Sequence, residues 1–342
     1  MSSPPRHLLK DLSLSAIAAG FVTVLVGFAS SAVIVFQAAQ SLGASPEEIS
    51  SWMWALGLGM GLTCIGLSLR YRMPVVTAWS TPGAAMLIGS VAGLPLSDAI
   101  GAFLMSALLI AASGFSGLFE RMISRIPASL ASGMLAGVLL RFGIDAFAAM
   151  KTQLGMVLTM FAVYLLARRL LPRYAVILTL LVGIAFAAGL GLLRVDGLSL
   201  QLAKPVFTTP TFSLAAIVGI ALPLFIVTMA SQNVPGVAVI RASGYAIPIS
   251  PVVGWTGLVN LLLAPFGAFA LNLAAITAAI CMGREAHEDA ARRYVAAIAA
   301  GVFYVVVGLF GATVAALFAA VPKELILAIA GIALLGTIRN SL

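Results

Sequence analysis

Of the 342 residues, 62% are hydrophobic and only 9% charged, and the mean hydropathy is +1.13. A water-soluble domain needs far more charge to cover its surface, which excludes a soluble enzyme or binding module. The net charge of +8 is no nucleic-acid footprint, because the basic residues collect in alternate loops between apolar runs, as membrane orientation requires.

Apolar runs of about 20 residues, the length that crosses a bilayer core, recur from Leu12 to Ile338. Arg6, His7 and Lys10 precede a first run longer than a signal-peptide core and without a small-residue cleavage pattern, so no cleavable signal is expected. The predicted spans are 13–37, 51–69, 74–92, 97–119, 126–149, 152–170, 174–193, 212–240, 250–265, 266–283, 294–320 and 322–338. With the N-terminus in the cytoplasm, only Arg141, Lys151, Arg194, Lys204 and Lys323 of the 19 basic residues fall outside cytoplasmic loops.

In chain order, the first span carries Ser30 and Ser31 at depth. The third is unusual. "PVVTAWSTPGAAML" (74–87) opens with extended formers and then reverses character. Thr81 reads as an N-cap, Pro82 as the first helical position, and Gly83 onward as a small-residue helix. Six extended residues reach roughly 20 Å and ten helical ones about 15 Å, so a half-strand, half-helix span is long enough to cross.

The eighth span contains the most polar intramembrane stretch, Ser231, Gln232 and Asn233, followed by Pro235 and Gly236. In the tenth, "PFGAFALNLAAITAAI" (265–280) repeats the pattern of the third. Phe266–Leu271 reads as extended, Asn272 as N-cap and Leu273–Met282 as helix. Trp79, Phe266 and Phe269 are candidate apolar walls, with core packing or an interface belt the competing reading. Side-chain amides are costly in hydrocarbon, which favours a site role for Gln232 and Asn233. For the serines interhelical hydrogen bonding is slightly favoured.

Three anchors keep their order in the two halves. Segment 29–43 resembles 230–244, the stretch at Pro74 has its counterpart in 265–280, and "IPASLASGMLAGVLL" (126–140) resembles "VPKELILAIAGIALL" (321–335). An odd number of spans between copies inverts the second, and inverted repeats mark transporters with a site at the repeat interface. Two crossing breaks would then pair their strands and aim two helix N-termini, each about half a positive charge, at one point. That point suits an anion or a strongly polar group.

The remaining chemistry is sparse. Cys64 and Cys281 lie in apolar runs and read as small buried hydrophobes; neither His7 nor His287 lies in a span, and no metal or cofactor motif occurs. All 11 acidic residues fall at span ends or in loops, so no intramembrane carboxylate offers a proton relay or a cation site. "GREAHEDAARR" (283–293) reads as a solvated turn.

At "TAWSTPGAAML", "MASQNVPGVAVIRASGY" and "LLLAPFGAFALNLAAITAAICMGREAHEDAARRY" the chain closely resembles the benzoate:proton symporter (BenE) family, within the nucleobase–ascorbate and sulfate-permease-like superfamily. The resemblance runs over essentially the whole chain. It implies an all-α polytopic fold with two inverted repeats of seven spans, the third and tenth being strand-plus-half-helix elements. It implies a first repeat over 1–200 and a second over 201–342. A core domain takes 13–125 with 210–321, and a gate domain 126–200 with 322–342. About twelve spans are visible, so the last two of the implied fourteen are expected to be absent.

Superfamily nucleobase transporters hold their ligand with glutamates on the eighth and tenth spans. Here those regions offer amides, Ala, Phe and Asn, which argues against nucleobases and leaves the proton-coupling residue unassigned. The implied function is import of benzoate or a similar aromatic carboxylate with a proton, across a bacterial inner membrane and without a cofactor. The expected substrate-binding residues are Ser31, Trp79, Ser80, Thr81, Pro82, Gly83, Gln232, Asn233, Phe269, Asn272, Leu273 and Ala274, and analogy adds a homodimer through gate helices. The alternatives are an exchanger or facilitator for another anion and, less favoured, a channel or an integral membrane enzyme.

Overall fold

The computed structural model describes residues 11–90, 94–123, 143–171, 174–193, 201–311, 313, 321–329 and 331–332. The repeat anchor at 126–140 and the end of its partner at 333–335 lie outside the described residues.

Long apolar runs form the helices, and the first two are also capped by serine side chains. The chain opens with α1 (Leu14–Ser41), whose N-cap Ser13 accepts from Ala16 N–H. Helix α2 (Pro46–Tyr71) starts with a capping box: Ser45 Oγ accepts from Glu48 N–H and Glu48 accepts from Ser45 N–H, with Pro46 at the first helical position. Strand β1 (Thr77–Trp79) and helix α3 (Thr81–Ser90) follow, then α4 (Leu96–Phe115) and short α5 (Leu118–Ile123). Helices α6 (Met150–Leu170) and α7 (Ala175–Gly189) pack on each other.

The second half begins with α8 (Leu214–Ala242) and α9 (Ile249–Leu263) and continues through β2 (Leu271–Leu273), α10 (Ile276–Met282) and α11 (Tyr294–Leu309). Among the described residues six helical stretches are long and apolar enough to cross a membrane, which is the architecture of a polytopic membrane protein.

Two prolines shape α8. Its π-helical turns, Ile217–Ala221 and Met229–Asn233, each end two residues before a proline, Pro223 and Pro235. Proline lacks the N–H that continues the ladder and its ring collides with the preceding turn, so the helix widens there. The second widening turns Asn233 inward, fully buried.

The packing comes in matched sets. Helix α2 packs on α11 as α4 packs on α9; α1 lies on α11 as α4 lies on α8. Helix α1 touches both half-helices, α3 and α10, and so does α8. Backbones approach closely at glycines in both large contacts. A Cβ on Gly57 would lie 2.5 Å from Gly308 Cα, and one on Gly114 would collide with Gly254. Such contacts gain dispersion and need no hydrophobic driving force in lipid.

Candidate functional site

The third and tenth spans do break, and their extended parts pair. Strands β1 and β2 run antiparallel with Thr77 opposite Leu273, Ala78 opposite Asn272 and Trp79 opposite Leu271. Ser80 N–H donates to Ala270 O at 3.1 Å, and Ala274 N–H donates to Val76 O at 2.9 Å. The ladder satisfies backbone that would otherwise be orphaned inside an apolar protein.

Three boundaries differ from the sequence reading. Ser80, not Thr81, caps α3: its Oγ accepts from Gly83 N–H at 3.1 Å and its carbonyl from Ala84 N–H at 2.9 Å. Thr81 and Pro82 therefore occupy the first two helical positions. Asn272 is no N-cap. It lies inside β2, and α10 begins only at Ile276, with Ala275 at the cap and no side-chain cap bond. The ladder with β1 outbids local capping, because Asn272 sits opposite Ala78 and its neighbours supply the cross-strand bonds. The extended run is also later than expected, since Ala264–Phe266 is a 3-10 turn and Gly267 reverses the chain at φ 101°.

Each strand is held by a different helix. On β1, Thr77 Oγ1 shares a 2.6 Å hydrogen bond with Thr63 and donates to Met60 O, while Thr77 N–H donates to Cys64 Sγ at 3.2 Å. Trp79 Nε1 donates to Ser31 Oγ at 2.9 Å, Ser31 Oγ donates to Gly27 O at 2.9 Å, and Phe28 meets the indole edge-on at 5.1 Å. On β2, Leu273 N–H donates to Asn233 Oδ1 at 2.9 Å, and Asn233 Nδ2 points to Met229 Sδ at 3.2 Å. Gly236, one turn on, lies flush against Leu273, where a Cβ would come within 2.6 Å of the leucine Cβ.

The structure thus brings Ser31, Trp79, Ser80, Thr81, Pro82, Gly83, Asn233, Asn272, Leu273 and Ala274 to one crossing between α1 and α8. Gln232 is half-buried beside it, and Ser231 is exposed and bonded back to Val227 O. Phe269 goes elsewhere: it packs 6.0 Å from Trp52 and 6.2 Å from Phe103, in the core behind the strands. Ser30 belongs to α1, and its side chain lies outside the described set.

The Thr63–Cys64 grip on Thr77 was missed by sequence reasoning; its signal was a Thr-Cys pair inside a span. Cys281 is likewise hydrogen-bonded, to Thr23 at 3.2 Å, so both buried cysteines do polar work. Among the described residues no cluster of three or more metal-ligating side chains exists.

A cluster of charged side chains gathers beyond the far end of α10. Arg293, buried, donates to Met282 O at 2.8 Å and His287 O at 2.7 Å, which caps the helix C-terminus. Tyr294 hydroxyl receives from Arg72 Nη1 and donates to Asp11 Oδ2, both at 2.8 Å. Arg292 Nε stands 3.4 Å from Asp11 and Asp289, at ion-pair distance without a hydrogen bond. Among the described residues the crossing itself offers hydrogen-bonding groups and helix ends but no ionised side chain.

Comparison with known proteins agrees with this architecture. The family model described as benzoate membrane transport protein (BenE) matches residues 10–342. The chain is 48% identical over 341 residues to the inner membrane protein YdcO of Escherichia coli K12, spanning all of this chain and 85% of that one. It is 41% identical over 342 residues to the benzoate membrane transport protein of Acinetobacter baylyi, covering 100% and 87%. The transmembrane domain of a cyanobacterial bicarbonate transporter, BicA, shares the fold at a TM-score of 0.51 and 14% identity, covering 95% of this chain and 87% of that one.

Proposed function

Because the chain belongs to the BenE family of benzoate membrane transport proteins, we propose that it imports benzoate or a related aromatic carboxylate with a proton, by alternating access. It is a membrane transporter and not an enzyme, of a family whose bacterial relatives include an inner membrane protein. The observation that carries the substrate site is the β1–β2 crossing, where two polar breaks meet between α1 and α8. Ser31, Trp79, Ser80, Thr81, Pro82, Gly83, Gln232, Asn233, Asn272, Leu273 and Ala274 line or shape it; Phe269 supports it from behind. The carboxyl group faces the amide-rich breaks, and the ring lies against apolar surface of α1 and α8.

The matched packing supports an inverted repeat, with α1–α4 related to α8–α11. Among the described helices, α6 and α7 pack on one another and α7 also lies against α1, which supports a gate apart from a core that carries the site. The N-terminus lies in the cytoplasm, from the alternation of basic loops, and two copies associate through their gates. A facilitator or exchanger for another anion is the competing reading.

Uptake of labelled benzoate into proteoliposomes decides between them. Symport predicts faster, concentrative uptake with an inward proton gradient. Uptake indifferent to the gradient removes the proton, and uptake of bicarbonate or sulfate in preference to benzoate removes the substrate.

A further inference from the structure

Asn272 is completely buried, and its two amide ends fare differently. Nδ2 donates to Leu273 O at 2.9 Å, a carbonyl that can only accept, so the orientation of the amide is fixed by its neighbour. Oδ1 has no donor among the described residues. Buried acceptors without partners are uncommon in folded proteins and call for a specific explanation.

Several other buried polar side chains at the crossing already hold protein partners. Ser31 serves Trp79 and Gly27, Thr77 serves Thr63 and Met60, Ser80 caps α3, and Asn233 Oδ1 holds Leu273 N–H. Asn272 Oδ1 is thus a buried acceptor without a partner on the strand pair itself, opposite Ala78, a small half-buried residue.

Taking the crossing as the binding site, as above, we infer that it recognises its ligand as the neutral carboxylic acid, with Asn272 Oδ1 accepting the ligand's carboxyl O–H. A carboxylate has only acceptors, and setting one against Asn272 Oδ1 opposes two lone-pair-bearing oxygens in a dry environment. The acid has one donor and complements it. Asparagine does not titrate, and among the described residues no carboxylate or histidine lies at the crossing, so the proton rides on the ligand. The O–H bond stays intact through the membrane and breaks on release into water, giving one carboxylate and one proton per acid moved.

The test uses the full chain in proteoliposomes and two competitors of labelled benzoate. Benzamide is neutral and puts an N–H donor where the acid has its O–H; benzenesulfonate is a permanent anion with acceptors only. The inference expects benzamide to compete and benzenesulfonate not to, with apparent affinity for total benzoate falling about tenfold per pH unit above the acid's own pKa. It also expects Asn272→Leu, which removes the acceptor at similar volume, to weaken benzoate binding at low pH at least ~tenfold.

Competition by benzenesulfonate but not benzamide, or affinity flat across pH, overturns the inference while leaving benzoate transport standing. A folded Asn272→Leu protein with unchanged affinity overturns it too. Should that variant fail to fold, the two competitors against the unaltered chain still decide. If benzoate itself is neither bound nor carried, the transport reading falls, and this inference with it.

Discussion

At Gly267 the backbone turns through φ 101°, and the Trp52 ring fills the space a Cβ would occupy. Gly43 also has positive φ, 75°, but nothing stands within 4 Å of its missing side chain. The two glycines separate backbone strain from crowding. Gly43→Ala should cost about 1–2 kcal/mol, the left-handed penalty alone. Gly267→Ala should add roughly 1–3 kcal/mol of overpacking and shift the tryptophan that supports Phe269. Thermal unfolding of both variants in one detergent checks this, and equal losses would contradict it. Asn233 makes a different demand: replacing it with Leu leaves Leu273 N–H buried and unpaired, for a loss of about 1–3 kcal/mol. The polarity of "SQN" was plain in the sequence, and so was a purpose for it. That Asn233 anchors a strand was not, because its partner lies 40 residues on and is a backbone group, which leaves no mark in composition.

Among the elements, the broken spans were the most legible. Proline, β-branched residues, a hydroxyl and then small residues in that order describe an extended segment entering a helix, and β1 with α3 follows that description to within one residue. In the tenth span the same logic put the helix start at Leu273, whereas it lies at Ile276. Asparagine is among the best N-caps in isolation, but strand pairing is a long-range contact that local preference does not register. The helix–helix contacts were not legible as pairs, although glycines inside spans hinted at close approach. They give an element-scale expectation. Gly57→Leu pushes α2 off α11 and Gly254→Leu pushes α9 off α4, because a Cβ on Gly57 already meets the Gly308 backbone and one on Gly254 the Phe115 ring. Each variant should be destabilised by roughly 1–3 kcal/mol or more, whereas Gly66→Leu, on the same α2 but with open space around it, should be tolerated. Detergent-solubilised yield and melting temperature of the three variants provide the comparison.

At the scale of the whole molecule, the membrane class was legible in the apolar runs, while which helices touch was not, because those contacts join residues far apart in the chain. Ser15 and Ala18 of α1, Val176 and Ile177 of α7, and Glu285 after α10 line one small cleft between α1 and the α6–α7 pair. If the core slides against the gate, that cleft changes shape in every cycle. A Ser15→Cys, Val176→Cys double variant joined by a short thiol-specific linker should stop uptake, and cleaving the linker should restore it. Binding of substrate should persist in the joined state. The native cysteines, both buried, make a quiet background for the reagent. Full uptake with the linker in place would refute a sliding core.

The β1–β2 ladder also constrains how the chain is made. Thr77 leaves the ribosome almost two hundred residues ahead of its partner Leu273, yet unpaired peptide groups cost several kcal/mol each in hydrocarbon. The nascent first half therefore cannot settle into lipid with its third segment in final form. It must wait in a wet or protein-lined shelter until residues 271–273 arrive, so synthesis halted short of that point should yield a product that proteases remove.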